Sequence, residues 1–279
     1  HDRNFRRRRF LGHGNVDGRR RFLGHRLRDG RRWQKHHLHH RCLRRAGRRA
    51  RHQGQRRAQG DRVRGQRQAA AGQGPQAFLL DAAADAAVEY VLELLAKHDA
   101  DAAGRPFVVG LGTGATAARF IDSLADRLAG KPKLLAIPTS ERSKQQARKR
   151  GIEVVNFGPI LEVDITVDGA DQIVPGPLHL IKGLGGALLR EKIVAAASKE
   201  LAIIVDSSKV REKLGGVVPV EVIQFGWELT RGHVQAVGCD PVLRWPETGD
   251  QPFATDNHNY ILDCTFPDID NPAAIEQRL

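Results

Sequence analysis

Between Phe107 and Val205, short apolar runs alternate with polar or amphipathic stretches, and glycine turns follow several of the runs. FVVGL, KLLAIP, IEVVNF, VDITVDG, LHLIKG and LAIIVDSS have the length and β-branched content of buried strands. Between them, Ala118, Ile121, Leu124 and Leu128 keep helical register, and SERSKQQARKRG and ALLREKIVAAASKE read as further helices. Strands alternating with helices predict an α/β fold, a Rossmann-like, mostly parallel sheet with helices on both faces. Ahead of it, DAAADAAVEYVLELLAKHDA places Val88, Val91, Leu92 and Leu95 on one face of a helix running to about His98.

Beyond about Lys213 the texture changes. GVVPVEVIQF and NYILDCTF read as strands, GWELTRGHVQAVG as a helix and RWPETGDQPFATDNHN as a turn-rich connection. The expected organisation is a basic arm over 1–80, a Rossmann-like catalytic domain over 81–213 and a small α+β domain over 214–279. The last of these stops within a helical pattern, NPAAIEQRL, as if truncated at its C-terminus.

Charge is split between arm and body. Residues 1–80 hold 23 Arg and one Lys against four Asp and no Glu, a net of +20. The whole chain is +13, so the body carries −7 and the pI near 10.3 describes the arm. The arm lacks Ser, Thr, Ile, Tyr and Glu and cannot assemble an apolar core, so it is expected to be disordered or non-native. It repeats itself once, RRRFLGHGNVDG being followed directly by RRRFLGHRLRDG, too few copies for a solenoid. No apolar stretch follows its arginines as an export signal needs, and no Ser accompanies them as a mitochondrial presequence needs. An out-of-frame or otherwise non-native leader is expected ahead of a functional tail; nucleic acid would be a partner only through this arm, by phosphate contacts.

Cys42, Cys239 and Cys264 form no CxxC pair and no metal-type spacing. No apolar run approaches the roughly 18 residues that span a bilayer. A cytoplasmic body with no membrane partner is expected.

Ligands of such sheets bind beyond the carboxyl ends of the strands, and four loops there are unusual. GLGTGAT brings backbone N–H groups and the Thr113 and Thr116 hydroxyls to a helix N-terminus, suited to a phosphate. A dinucleotide would want an acidic residue after the second strand, which ends in IPTS instead. DITVDGAD loads carboxylates onto a strand end. Asp164 is read as a cap or turn former, whereas Asp168 and Asp171 share one short loop and could hold sugar hydroxyls. In IKGLGGALLREK, Lys182 ends a strand, a glycine loop follows, and Glu191 lies early on the next helix. A base, a cation and N–H donors in proximity are what enolate chemistry requires. DSSK places Asp206 and Lys209 after a strand.

Together, GLGTGAT, VDGAD, KGLGGALLREK and DSSK, in this order, resemble the ribose-5-phosphate isomerase A family over about Asp81 to Leu279. The resemblance implies interconversion of ribose 5-phosphate and ribulose 5-phosphate, a step of pentose phosphate metabolism, with no metal and no cofactor. It implies substrate contacts from Thr113, Gly114, Ala115 and Thr116, from Asp168, Gly169, Ala170 and Asp171, from Lys182, Gly183, Leu184 and Gly185, and from Lys209. Glu191 would be the base, Lys182 would stabilise an oxyanion, and Asp168 and Asp171 would hold hydroxyls and assist ring opening. A homo-oligomer, dimer or tetramer, is expected.

Two positions depart from the family's pattern: Ala115 stands where Ser is common and Leu184 where Gly is common. Relatives also continue through a further strand that returns to the large sheet, so an open sheet edge is expected here. The rival reading is a non-catalytic sugar-phosphate-sensing module of a transcriptional regulator. It would need a helix-turn-helix pattern in residues 1–80, and none is visible.

Overall fold

A computed structural model describes residues 7–12, 75–101, 104–129, 134–158, 160 and 162–279. Its main sheet has six strands, all paired in parallel: β1 (Arg7–Gly12), β2 (Val108–Leu111), β3 (Leu135–Pro138), β4 (Glu153–Val154), β5 (Val163–Asp168) and β8 (Ser198–Val205), in the spatial order β1-β8-β5-β2-β3-β4. Both faces are covered, as parallel strands require. On one face α1 (Pro75–Asp101) and α2 (Ala115–Leu128) bury Val88, Val91, Phe120 and Leu124 against Ile165 and Ile204. On the other, Val194 of α4 (Leu188–Ala197) packs on Val108, Ile137 and Val163.

The order of the strands fixes the site. From β2 the chain moves outward through β3, helix α3 (Glu141–Lys149) and β4, then crosses back to lay β5 on the opposite side of β2. The carboxyl ends of β2 and β5 therefore open side by side at a switch point, where connecting helices cannot cover the ends and a ligand finds room. Gly112 accommodates that closeness: its N–H donates to the Val167 carbonyl at 2.9 Å, and a Cβ there would overlap Asp168.

A three-stranded antiparallel sheet, β10-β11-β9, is built from β9 (Leu214–Val222), β10 (Asp240–Leu243) and β11 (Tyr260–Ile269). It packs Leu262, Cys264 and Phe266 against Val234 of α5 (Trp227–Gln235), and α6 (Pro272–Arg278) follows.

Three local expectations need correction. LHLIKG does not enter the parallel sheet: β7 (His179–Ile181) pairs antiparallel with β6 (Gln172–Val174) as a separate hairpin. A Pro-Gly turn inside the intervening VPGPL segment makes that local pairing available before any crossover. Asp164 is no cap or turn residue but the second residue of β5, its carboxylate receiving Arg105, the Val108 N–H at 2.9 Å and Lys199 Nζ at 3.1 Å. Burial alone would raise its pKa, but these three donors outweigh burial and hold it below the usual carboxylate range.

The third concerns the arm. Its helix begins at Pro75 rather than Asp81, with proline at the first helical position where its missing N–H costs nothing. Arg7–Gly12 forms β1, paired in parallel with β8. Strand pairing uses backbone groups that any composition supplies, and an unpaired edge beside the apolar β8 is a template for it. Residues 1–6 and 13–74, including Cys42 and most of the basic arm on which nucleic-acid binding would depend, lie outside the described residues.

Candidate active site

Three loops converge at the switch point, and Asp168 is their hub. It ends β5 and is fully buried. One oxygen, Oδ1, accepts the Thr113 N–H at 3.1 Å and the Gly169 N–H at 2.8 Å, while Oδ2 accepts Lys182 Nζ at 2.7 Å. Lys182 also donates to the Gly169 carbonyl at 2.7 Å and lies 3.1 Å from Glu191 Oε2. Burial opposes the charge on this ammonium, but Asp168 and Glu191 more than compensate and raise its pKa, so it stays a cation throughout the physiological range.

Glu191 is the unusual group. It sits in the first turn of α4, where the helix dipole favours a carboxylate, yet it is buried to 4% exposure. Its contact with Lys182 is an ion pair whose angle falls outside hydrogen-bond geometry, leaving Oε2 buried with no hydrogen bond. Burial chiefly, with the neighbouring Asp168 charge, pushes its pKa up to about 7, against the opposing pull of Lys182. A carboxylate with an unsatisfied oxygen and a pKa at neutrality is suited to taking and returning a proton.

The loop joining Lys182 to that helix turns on Gly183, whose φ of 95° lies in the left-handed region and whose absent Cβ would meet Leu188. Leu184 N–H donates to Asp171 Oδ2 at 3.0 Å, tying this loop to the DGAD loop, and Arg244 Nη1 holds the Leu184 carbonyl at 2.9 Å. Open space lies over Gly114 and Gly185. The Leu184 side chain lines a separate cleft of about 640 Å³ together with Val217, Arg244, Trp245 and Phe253, to which Asp168, Lys182 and Glu191 do not contribute.

The GLGTGAT loop is placed as expected, but Thr113 is already engaged. Its hydroxyl donates to Ser140 Oγ at 2.8 Å and meets Thr139 Oγ1 at 2.8 Å and Ser143 Oγ at 3.3 Å. The N-terminus of α2 has no side-chain cap on Gly114, so its first N–H groups and Thr116 remain for an anion. Lys209 ends a short 3-10 turn (Ser207–Lys209) capped by Asp206, and among the described residues it forms no ion pair with Asp168, Asp171 or Glu191.

A family model described as ribose 5-phosphate isomerase A (phosphoriboisomerase A) matches residues 135–279. The chain belongs to the ribose 5-phosphate isomerase A family. Curated relatives of that name include one from a Synechococcus species, 49% identical over 175 residues, covering 62% of this chain and 76% of the relative. Another, from Gluconobacter oxydans, is 45% identical over 186 residues, covering 66% and 80%. Among solved structures, ribose 5 phosphate isomerase A from Neisseria gonorrhoeae superimposes with a TM-score of 0.62 at 32% identity, covering 72% of this chain and 82% of that one. A D-ribose-5-phosphate isomerase solved in complex with phospho-erythronic acid gives 0.59 at 34% identity, covering 68% and 85%.

Within this ribose 5-phosphate isomerase A family member, the matched span contains DGAD, KGLGG, Glu191 and DSSK, whereas GLGTGAT precedes it. Sequence reasoning missed two supporting groups. One is the hydroxyl cluster of Thr139, Ser140 and Ser143, of which the strand end IPTS was read only for lacking an acid. The other is Arg190, which reads as an ordinary solvated helix residue beside Glu191.

Proposed function

We propose that this chain interconverts ribose 5-phosphate and ribulose 5-phosphate by moving one proton between C2 and C1 through an enediolate, with Glu191 as the base. The observation that carries the proposal is the buried Glu191 carboxylate, with one oxygen free of hydrogen bonds, 3.1 Å from Lys182 Nζ. Glu191 takes the C2 proton, the C–H electron pair forms the C1–C2 double bond, and the carbonyl electrons settle on O1. Lys182 and the N–H groups of the Gly183–Gly185 loop stabilise that oxygen. The O2 proton passes to O1 as the O2–H electron pair forms the C2 carbonyl, and the C1–C2 double-bond electrons take the proton back from Glu191 at C1.

Asp168 takes a different part from the hydroxyl-holding one that the DGAD loop and the resemblance imply. With Oδ1 on two backbone N–H groups and Oδ2 on Lys182, it aims the ammonium, and Asp171 is the better holder of a sugar hydroxyl. The phosphate is assigned to Gly114, Ala115 and Thr116 at the start of α2. A sensing module would have no use for a buried, unbonded carboxylate beside a lysine, and nothing in the site favours that alternative.

The proposal assigns catalysis to residues 81–213 and a supporting role to 214–279. It includes a cytoplasmic homo-oligomer, dimer or tetramer. No helix among the described residues is long and apolar enough to cross a membrane, and the exposed Ile223, Phe225 and Leu229 offer an apolar surface for self-association. The test is conversion of ribose 5-phosphate by the chain and by Glu191→Gln, which removes the base and is expected to cost at least about 100-fold in kcat.

A further inference from the structure

We propose that Arg190 is a positioning residue that holds the proton-transferring turn of α4 in register with the substrate loops, an inference that rests on the isomerase reading of the same site. Helix α4 has Ala187 at its N-cap position and no side-chain cap, so the turn carrying Glu191 lacks the usual tie at its start. Arg190, its immediate neighbour, supplies one from the side. Nε donates to Asn257 Oδ1 at 2.8 Å, Nη1 to Glu141 Oε1 at 3.0 Å and Nη2 to the Asp256 carbonyl at 2.9 Å. The planar fork thus engages three groups on two other segments, which a lysine's single nitrogen cannot reproduce.

Both segments lead back to the site. Glu141 is the first residue of α3 and follows Ser140, the cap of that helix and acceptor of the Thr113 hydroxyl. Asp256 Oδ2 accepts the Glu141 N–H at 2.8 Å, closing a ring of Arg190, Glu141 and Asp256. The turn bearing Asp256 is itself anchored to the antiparallel sheet. Thr255 Oγ1, Asn257 Nδ2 and Asn259 Nδ2 all donate to Glu221 Oε1 of β9, at 2.9, 3.1 and 3.0 Å. Arg190 therefore joins the Glu191 turn to the Thr113 loop and to the small sheet at once. A rigid connection of this kind sets where the base stands relative to a substrate phosphate held at α2. A misplacement on the order of 1 Å costs about 100-fold in rate.

The experiment compares wild type, Arg190→Ala, Arg190→Lys and Glu191→Gln in ribose 5-phosphate conversion, with folded content followed by circular dichroism. Arg190→Ala is expected to lose about 10- to 100-fold in kcat with KM changed by less than about threefold, to keep the acid limb of its pH profile, and to regain part of its turnover with added guanidinium. Arg190→Lys is expected to retain the loss, because charge without the fork does not restore the three contacts. Folded Arg190→Ala turning over within about twofold of wild type would overturn the inference. If Arg190→Ala does not fold, Arg190→Lys decides: wild-type kcat overturns it, and a loss in kcat alone supports it. Inactive wild type, or Glu191→Gln as active as wild type, would instead overturn the isomerase reading.

Discussion

Lys182 and Glu191 meet at 3.1 Å across a glycine turn, with Asp168 Oδ2 at 2.7 Å from the same ammonium. Two carboxylates thus share one cation in a nearly dry setting, and the three charges differ in what satisfies them. Asp168 has backbone donors as well as the lysine, whereas Glu191 has only the lysine, poorly aligned. The less satisfied carboxylate is the one whose proton affinity rises.

The pH dependence follows from that asymmetry. Because the pKa of Glu191 is raised to about 7 and the base must be ionised, kcat/KM is expected to fall as pH drops below about 7. For folding the sign is opposite: ionising Glu191 is disfavoured in the fold, so stability is highest below its unfolded pKa and declines as pH rises towards 7. Glu191→Gln should abolish both trends at once, measured by rate profiles and by denaturant titration at pH 5 and 8.

Removing the shared cation is expected to damage fold and function together. Lys182→Ala leaves Asp168 and Glu191 facing each other with no counter-charge, which costs about 3–5 kcal/mol when a buried pair loses one partner. Chemical denaturation would read that loss, and residual activity should be at background.

Asp164 and Asp168 lie on one strand and should separate stability from turnover. Asp164 faces the partly exposed Arg105 and Lys199 at the opposite end of β5 and accepts the Val108 N–H, so Asp164→Ala is expected to lose about 1–3 kcal/mol while kcat per folded molecule stays within about threefold of wild type. Since its pKa is lowered, its contribution is present at neutral pH and fades as pH falls through the acid range. Asp168→Asn keeps the shape but loses the charge that aims Lys182, and should lose kcat by at least about 100-fold.

Gly112→Ala tests the closeness of the β2 and β5 loops. A Cβ at this position overlaps Asp168, so the loop must shift. Both melting temperature and kcat are expected to fall, and an alanine variant with wild-type values for both would contradict the described contact.

Much of this was legible in the sequence for a definite reason. Lys182, the glycine turn and Glu191 are consecutive in a strand–loop–helix unit, so their proximity follows from local geometry. Asp168 and Asp171 were visible for the same reason. The engagement of Thr113 by Thr139, Ser140 and Ser143 was not, because it depends on β2 lying beside β3 in a particular register, Leu111 opposite Pro138. Arg190 was hidden because REK on a helix has the composition of a solvated face, and its partners Glu141 and Asp256 are remote in sequence. The β6–β7 hairpin was overlooked because an apolar run within an alternating chain does not reveal which sheet it joins.

The central claim is that Glu191 moves the proton between C2 and C1. Ribose 5-phosphate deuterated at C2, followed by proton magnetic resonance in ordinary water, tests it most directly. The wild-type chain is expected to wash label from C2 into solvent as ribulose 5-phosphate forms, and Glu191→Gln to slow both processes by at least about 100-fold. Conversion and label exchange at wild-type rates in folded Glu191→Gln would contradict the account.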